Sequence, residues 1–320
     1  MSRIDELIAG IAVAVGYHPH DQIMVAGITG TRIRYCTTFR HDLSALTPVA
    51  PTQALANHVQ AARENDVTAV AVVGYGPPEQ VDPYLREVLD GAFTDAGIPV
   101  IAVARVADGR YWSYLDTGGD PAGTFYDLAV TKNMARGIHD GQVVLSSRDA
   151  LTATIRPVTG EARTAMDRAT VAAGKKAIVL ARQGLHLFAE AADRGIAEAT
   201  ARYADGGRLS DDEMAWLTYL IDPEFGWEAA LRGITADPCH VDLWTDATRR
   251  AHPDLSTTPA ALLAYAAWMC RSTLARHAVD AALGAALAAD RPHRLAVIMQ
   301  KVIDSRIPPS VVSRPRRAQP

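Results

Sequence analysis

Two features of the sequence predict an α/β domain followed by an all-helical domain. Short apolar, β-branched runs at 68–75 and 98–106 flank a helical pattern at about 79–96, which is the order of a βαβ unit. From residue 161 onward, alanine-rich helical patterns replace the strand patterns. We therefore predict a mixed, mostly parallel sheet with flanking helices, and an all-α domain behind it.

The other elements of the α/β domain follow from local patterns. An apolar stripe predicts an amphipathic helix over 3–15. The segments 22–28 and 32–39, joined by a short turn at Thr29-Gly30, predict a hairpin of two strands. A helix is expected over 52–65. After the Asp108-Gly109 turn, a last strand is expected over 110–115.

The second domain is predicted to be a helical bundle. Ser210-Asp211-Asp212-Glu213 forms a capping box, which predicts the start of a helix. The pair of helices around Leu262–Trp268 and Leu274–Leu287 resembles one tetratricopeptide-like hairpin, but no second copy follows at a fixed period. This favours ordinary bundle packing over a repeat array. The expected domains are an α/β domain at 1–150, a helical domain at 151–305 and a disordered tail at 306–320.

Composition narrows the classes of function. Hydrophobic residues make up 48% of the chain and charged residues 21%, so a substantial core is expected. A net charge of −4 with mixed signs argues against coating of nucleic acid or of an anionic membrane. No stretch is long and apolar enough for a membrane span, and the apolar run near the amino terminus follows two acidic residues. We therefore predict a cytoplasmic protein without a membrane partner.

The cysteines indicate neither a zinc knuckle nor a thiol-redox pair. Cys36, Cys239 and Cys270 are widely separated, and no C-x-x-C occurs. Cys239-His240-x-Asp242 with His252-x-Asp254 has ligand types that suit zinc. Helix capping by Asp237 and a buried thiol explain the same residues without a metal, and we predict no metal site.

Several blocks in a fixed order carry a family resemblance. These are GYHPHD near the amino terminus, GRYWSY after the apolar strands, GRLSDDEMAWLTYLIDPEFGWEAAL, and LWTDATRRAHPD followed by PAALLAYAAWMC. In this order they resemble the actinobacterial family called domain of unknown function 4192, over roughly residues 3–305. The resemblance implies a fold and an actinobacterial or actinophage source, and it implies no activity, because the family has none established.

The chain departs from that family at one place. Relatives often follow the R-W-W-S-Y block with a cysteine cluster and C-C-P, whereas here the stretch 114–121 contains no cysteine. Any metal or redox centre that those cysteines form in relatives is therefore not expected here.

Two turns are candidate binding loops. His18-Pro19-His20-Asp21 offers two imidazoles and a carboxylate, but a rigid proline between the histidines suits a turn better than one tetrahedral site. His41-Asp42 joins it only if the hairpin folds back. Gly74-Tyr75-Gly76-Pro77-Pro78 ends a central strand, where α/β proteins bind ligands. It is neither a dinucleotide fingerprint nor a P-loop, so a simple strand-to-helix turn stays open.

The strand Arg110-Tyr111-Trp112-Ser113-Tyr114, with Asp116 behind it, is the strongest candidate. An arginine beside aromatic rings can hold a planar or anionic ligand, and the same pattern also suits an edge strand that covers a helix. No cofactor is indicated. The candidate ligand-binding residues are Gly74, Tyr75, Gly76, Arg110, Trp112, Tyr114 and Asp116.

Three functions follow from these observations. The first is a ligand- or partner-binding scaffold protein without catalysis, with a protein partner or a second copy bound through the helical domain. The second is an enzyme, a hydrolase or nucleotide-processing activity, at the carboxyl edge of the sheet; it requires Arg110, Tyr114 and Asp116 to converge with the Gly74–Gly76 loop. The third is nucleic-acid association through the helical domain and the basic tail.

Overall fold

A computed structural model describes most of the chain, in two compact units, Met1–Ala150 and Leu151–Pro320. The described residues are 4–28, 35–42, 50–64, 67–116, 120–140, 142–221, 226–270, 272–290, 292–305, 307 and 309–311. The expected Thr29-Gly30 turn, the side chains of His41 and Asp42, and the tail beyond residue 311 lie outside them. Within these ranges, no helix has the length and hydropathy of a membrane span.

The first unit is an α/β structure. Its elements are α1 (Ile4–Val15), β1 (Gln22–Ile28), β2 (Tyr35–Asp42), α2 (Pro51–Glu64), β3 (Ala69–Tyr75), α3 (Pro78–Leu89), β4 (Val100–Ala107), β5 (Arg110–Ser113), β6 (Thr124–Phe125) and α4 (Lys132–His139), with α5 (Arg148–Ala153) at its end. The predicted strands and the first two helices are confirmed to within a few residues. The pattern did not predict β6, which has only two residues.

One sheet contains all six of these strands, in the order β2-β1-β3-β4-β5-β6. The prediction of a mixed sheet with flanking helices is confirmed, but the prediction that it is mostly parallel is wrong. Only β3 and β4 pair in parallel. The other pairs are antiparallel, because β1 runs opposite to both β2 and β3, and a two-residue turn sends β5 back along β4. A single βαβ crossover supplies a single parallel pair.

Both faces of the central strand β3 are buried. Val70 and Val72 of β3 pack in a cluster with α2 and α3, whereas Ala71 and Val73 pack in a second cluster with α1. This alternation explains why the strand is apolar at every position. The fold thus leaves the ends of the central strands, and not their faces, as places for a site.

The predicted helix at 79–96 is too long. Helix α3 ends at Leu89, and Gly91 follows in a left-handed conformation with φ +123°. Turns occupy the chain from there to Gly97. A helix that ends in a glycine of this conformation satisfies its last carbonyl groups, and the pattern of apolar residues alone did not reveal the end.

Every element in the described part of the second unit is helical. The helices are α6 (Gly160–Gln183), α7 (Leu185–Ala204), α8 (Asp211–Leu220), α9 (Trp227–Gly233), α10 (Pro238–Arg250), α11 (Thr257–Met269), α12 (Leu274–Ala288) and α13 (Arg294–Asp304). The predicted capping box is present: the Ser210 hydroxyl accepts from the Glu213 amide, and the Glu213 carboxylate accepts from the Ser210 amide. Helix α11 is buried along nearly its whole length and packs against α10, α12 and α13, as in a bundle.

A buried histidine caps the start of helix α13. His293 Nδ1 accepts from the Ala296 amide (3.4 Å), so Nε2 carries the proton toward the Thr258 hydroxyl (3.2 Å). Burial lowers the pKa of His293. An imidazolium cannot accept the amide hydrogen bond, so the cap requires the neutral ring.

Replacement of His293 by asparagine is expected to flatten the pH dependence of stability. The pKa of His293 in the folded protein lies below that of an unfolded histidine, which is about 6.5. The stabilisation that the neutral ring supplies is therefore complete above the unfolded-state pKa. It is lost as the pH falls from there through the folded-state pKa. Urea unfolding of wild type and His293→Asn at pH 7.5 and 5.5 measures the difference, with exposed His139→Asn as the control. If His293→Asn lost as much stability between pH 7.5 and 5.5 as wild type does, the proposed role of the neutral ring as a helix cap would be contradicted.

Candidate functional site

The ends of three neighbouring strands meet at one edge of the sheet. Strands β3 and β4 are parallel, so their carboxyl ends lie at the same edge. Strand β1 is antiparallel to β3, and its first residue, Gln22, pairs with the last residue of β3, Tyr75. A cleft of about 650 Å³ opens at this edge. Ligands in open α/β sheets bind beyond the carboxyl ends of strands, so this is the candidate site.

Three loops and helix α1 contribute most of the lining of the cleft. The loops are the turn before β1, the turn after β3 and the turn between β4 and β5. The structure therefore brings together two loops that the sequence analysis treated separately. Their lining residues include His18, His20, Asp21, Tyr75, Gly76, Arg105, Asp108, Gly109, Ile8 and Ala12 of α1, and Tyr126, Leu128 and Ser146.

Unusual backbone conformations shape these loops. Gly76 has φ +143°, and its amide donates to the Val106 carbonyl (3.0 Å). A Cβ at Gly76 would lie 3.5 Å from Asp21 Oδ1, so the turn after β3 and the turn before β1 are close neighbours. Asp21 itself has φ +49°, a left-handed conformation that aspartate tolerates better than most residues.

The turn between β4 and β5 is a two-residue hairpin loop. Asp108 and Gly109 have φ +51° and +71°, and Ala107 pairs with Arg110 across the turn. Positive φ at both residues is typical of a type I′ turn, for which Asp-Gly is a preferred pair. Asp108 is exposed and lines the cleft at its rim.

Neutral imidazole is available in the cleft. His18 is half-buried, and its amide donates to the Leu145 carbonyl (2.9 Å). Burial lowers the pKa of His18, and the neighbouring charge of His20 lowers it further. His18 is therefore neutral at pH 7 and can accept or donate a proton. No cluster of three histidine, cysteine or acidic side chains suited to a metal ion occurs among the residues that the structure describes.

Arg105 is the charged residue of the cleft that the sequence analysis missed. Its guanidinium stacks on the Trp112 ring, with Cζ 3.6 Å from the ring centroid. It also lies close enough to the Tyr114 hydroxyl to oppose the rise in the pKa of that phenol. Nε is buried and has no hydrogen-bond partner within the described ranges. The available signal was an arginine within the otherwise apolar run IPVIAVARV, where a cation has no reason to lie unless it serves a site.

Tyr114 connects Arg105 to helix α3. The Tyr114 hydroxyl donates to Asp82 Oδ1 (2.5 Å). Burial raises the pKa of Tyr114 to about 12; the bond to Asp82 adds to this effect and Arg105 opposes it. The phenol therefore stays protonated. Contacts therefore run from Asp82 through Tyr114 to Arg105 and Trp112, and they hold the Arg105 guanidinium in one place.

The seven candidate residues have different places in the structure. Tyr75 and Gly76 line the cleft. Trp112 and Tyr114 lie outside the lining and contact Arg105. Gly74 is a packing position, because a Cβ there would lie 2.9 Å from the Val81 Cβ.

Arg110 and Asp116 do not reach the cleft. Arg110 Nη1 donates to the Gly123 carbonyl (2.7 Å), and its guanidinium stacks on Phe125. Asp116 is exposed and is absent from the lining. Trp112 Nε1 donates to the Pro121 carbonyl (3.0 Å). The candidate strand therefore anchors a loop and supports Arg105, and Arg110, Tyr114 and Asp116 do not converge in the cleft.

Cys239 lies in the structural environment that the sequence predicted. Asp237 caps helix α10 by accepting from the Cys239 amide (2.9 Å). Burial, followed by the bond to Asp237, raises the pKa of the Cys239 thiol to about 11. The thiol stays protonated at neutral pH and is unreactive.

The fold and the site together define a class: a protein with an α/β unit that has a cleft of mixed apolar and polar lining at the carboxyl edge of a mixed sheet, and with a helical second unit. The chain belongs to the family described as Domain of unknown function (DUF4192), whose model matches residues 5–310. No curated protein and no solved structure matches the chain.

Proposed function

We propose that this protein binds a small organic molecule in the cleft of its α/β unit. The volume of about 650 Å³ lies within the roughly 300–1,000 Å³ that is typical of ligand sites. Apolar surface from Leu128 and the ring of Tyr126 combines there with a few polar groups that can orient a ligand. The single observation that supports the proposal best is Arg105, a cation held rigidly at the wall of this cleft. Binding of a protein partner or a second copy through the helical domain stays a prediction from sequence.

A cleft-blocking variant tests the proposal. Ser146 is an exposed residue of the lining, so a tryptophan there fills space without disturbing the core. We expect ligand-observed NMR with a fragment library to show binding to wild type and a loss of it in Ser146→Trp. The matched control is Ser305→Trp, on the exposed surface of the other unit, with unfolding midpoints as the check on folding. Fragments that bind both variants equally would exclude the cleft.

Catalysis in the same cleft is the second candidate. It is supported by His18, whose pKa burial lowers, and the cationic Arg105, which line the same cleft and offer a base and an electrophile of the kind that hydrolysis uses. The convergence of Arg110, Tyr114 and Asp116 on which it first depended is absent. In the fragment experiment, conversion of a bound ester into its acid by wild type, and its loss in Ser146→Trp, would favour the enzyme over the binding protein.

A further inference from the structure

The charge of Arg105 is not neutralised by the protein. In the part of the chain that the structure describes, no carboxylate forms an ion pair with it, and its partners are the neutral Trp112 ring and the Tyr114 hydroxyl. Asp82 contacts the tyrosine hydroxyl instead. A partly buried guanidinium with unused N–H groups is stabilised strongly by a carboxylate or phosphate, because its planar fork matches both geometries.

The rim of the cleft has the opposite character. Asp21 and Asp108 are exposed residues of two turns that border the same space. A carboxylate only accepts hydrogen bonds, so these residues suit hydroxyl donors of a ligand and repel a second anionic group. Among the described residues of its lining, the cleft therefore offers a position for an anion at Arg105 and acceptors for donor groups at its rim.

We propose that the ligand of this cleft is a small polyhydroxylated anion, with its phosphate or carboxylate on Arg105 and its hydroxyls on Asp21 and Asp108. This inference rests on the proposed ligand-binding function and names the chemistry of its ligand. Trp112 and Tyr114 are positioning residues, because they touch Arg105 and do not line the cleft.

Titration with three defined probes tests the inference. Ribose 5-phosphate and gluconate represent the phosphate and carboxylate forms, and ribose lacks the anionic group. We expect at least one anion to bind at least tenfold more tightly than ribose by calorimetry or ligand-observed NMR. Arg105→Gln should weaken this binding at least tenfold, and Arg105→Lys, which keeps the charge but not the planar stack, should weaken it less. The matched control is Arg136→Gln, an exposed arginine of the same unit.

A second variant separates the two ends of the ligand. Asparagine also tolerates the left-handed conformation of Asp21, so Asp21→Asn changes an acceptor without straining the turn. Ribose 5-phosphate should bind this variant several-fold more weakly, whereas inorganic phosphate should bind it and wild type alike.

The possible outcomes distinguish an error in the ligand class from an error in the proposed binding function. Equal binding of ribose and the anions, or unchanged binding in Arg105→Gln with wild-type unfolding, overturns the inference. Neutral fragments that occupy the cleft while both anions fail to bind overturn the ligand class and leave the proposed function in place. If neither fragments nor probes bind, the proposed function fails as well.

Discussion

Replacing Arg250 with alanine is expected to destabilise the helical unit by about 3–5 kcal/mol. The Arg250 guanidinium donates to Asp246 Oδ2 (3.0 Å), to Asp211 Oδ1 (2.5 Å) and to the Leu209 carbonyl (2.9 Å). The side chains of Arg250 and Asp246 are only 12% and 11% exposed. Tyr203 also donates to Asp246, so one substitution leaves a buried carboxylate that has lost its cation.

The neighbouring arginine provides the control. Arg249 makes one long hydrogen bond, from Nε to the Arg156 carbonyl (3.4 Å), and we expect Arg249→Ala to cost less than about 1 kcal/mol. Urea unfolding followed by circular dichroism measures both variants. Asp246→Asn should fall between them, because Arg250 keeps its ion pair with Asp211 and no buried carboxylate is left without a cation. Similar costs for Arg250→Ala and Arg249→Ala would show that the buried ion pair contributes little.

Replacing Phe93 with alanine is expected to destabilise the α/β unit by about 3–5 kcal/mol. Phe93 is 0% exposed and packs in the cluster between the sheet and helices α2 and α3, together with Leu85 and Ile98. Phe93 belongs to the turn after α3, and this turn leads into β4. A cavity at this point removes contacts from both elements, and the rigid sheet can collapse only partly around it.

The same substitution at Phe125 is a matched control in the same unit. Phe125 is 69% exposed and contacts the Arg110 guanidinium. We expect Phe125→Ala to cost less than about 1 kcal/mol, the contribution of an exposed cation–π pair. Thermal or urea unfolding of both variants gives the comparison. If Phe125→Ala lowered the free energy of unfolding as much as Phe93→Ala, the exposure of the two side chains would not explain their contributions to stability.

The strands and most helices were predictable because their signals are local. The apolar run that became β3 is buried on both faces. The Asp108-Gly109 pair specifies the hairpin turn between β4 and β5 without help from the rest of the chain. The Ser210 capping box likewise depends only on residues three apart. The end of α3 was not predictable, because apolar residues such as Phe93 continue past Gly91 and pack from a turn rather than from a helix.

The candidate site was predicted in part. The turns at His18 and at Gly76 were both noted, but only the pairing of β1 with β3 shows that they border one cleft. The aromatic strand was selected for Arg110, whereas the arginine at the cleft is Arg105, which lies opposite Trp112 in the next strand. Aromatic neighbours did not distinguish the two arginines, because each has an aromatic partner, and the apolar run around Arg105 was the signal that did.

By itself, the sequence determined the class of each unit, the family, and which residues begin and end most elements, since hydrophobic period, turn residues and caps act over a few positions. The tertiary structure alone decided the antiparallel pairing of β1 with β3 and the membership of the cleft. Strand direction depends on which edges pair, and the cleft on which strand ends then become neighbours. Both are set by contacts between residues far apart in the chain, and this pairing makes Arg105 the cation of the site.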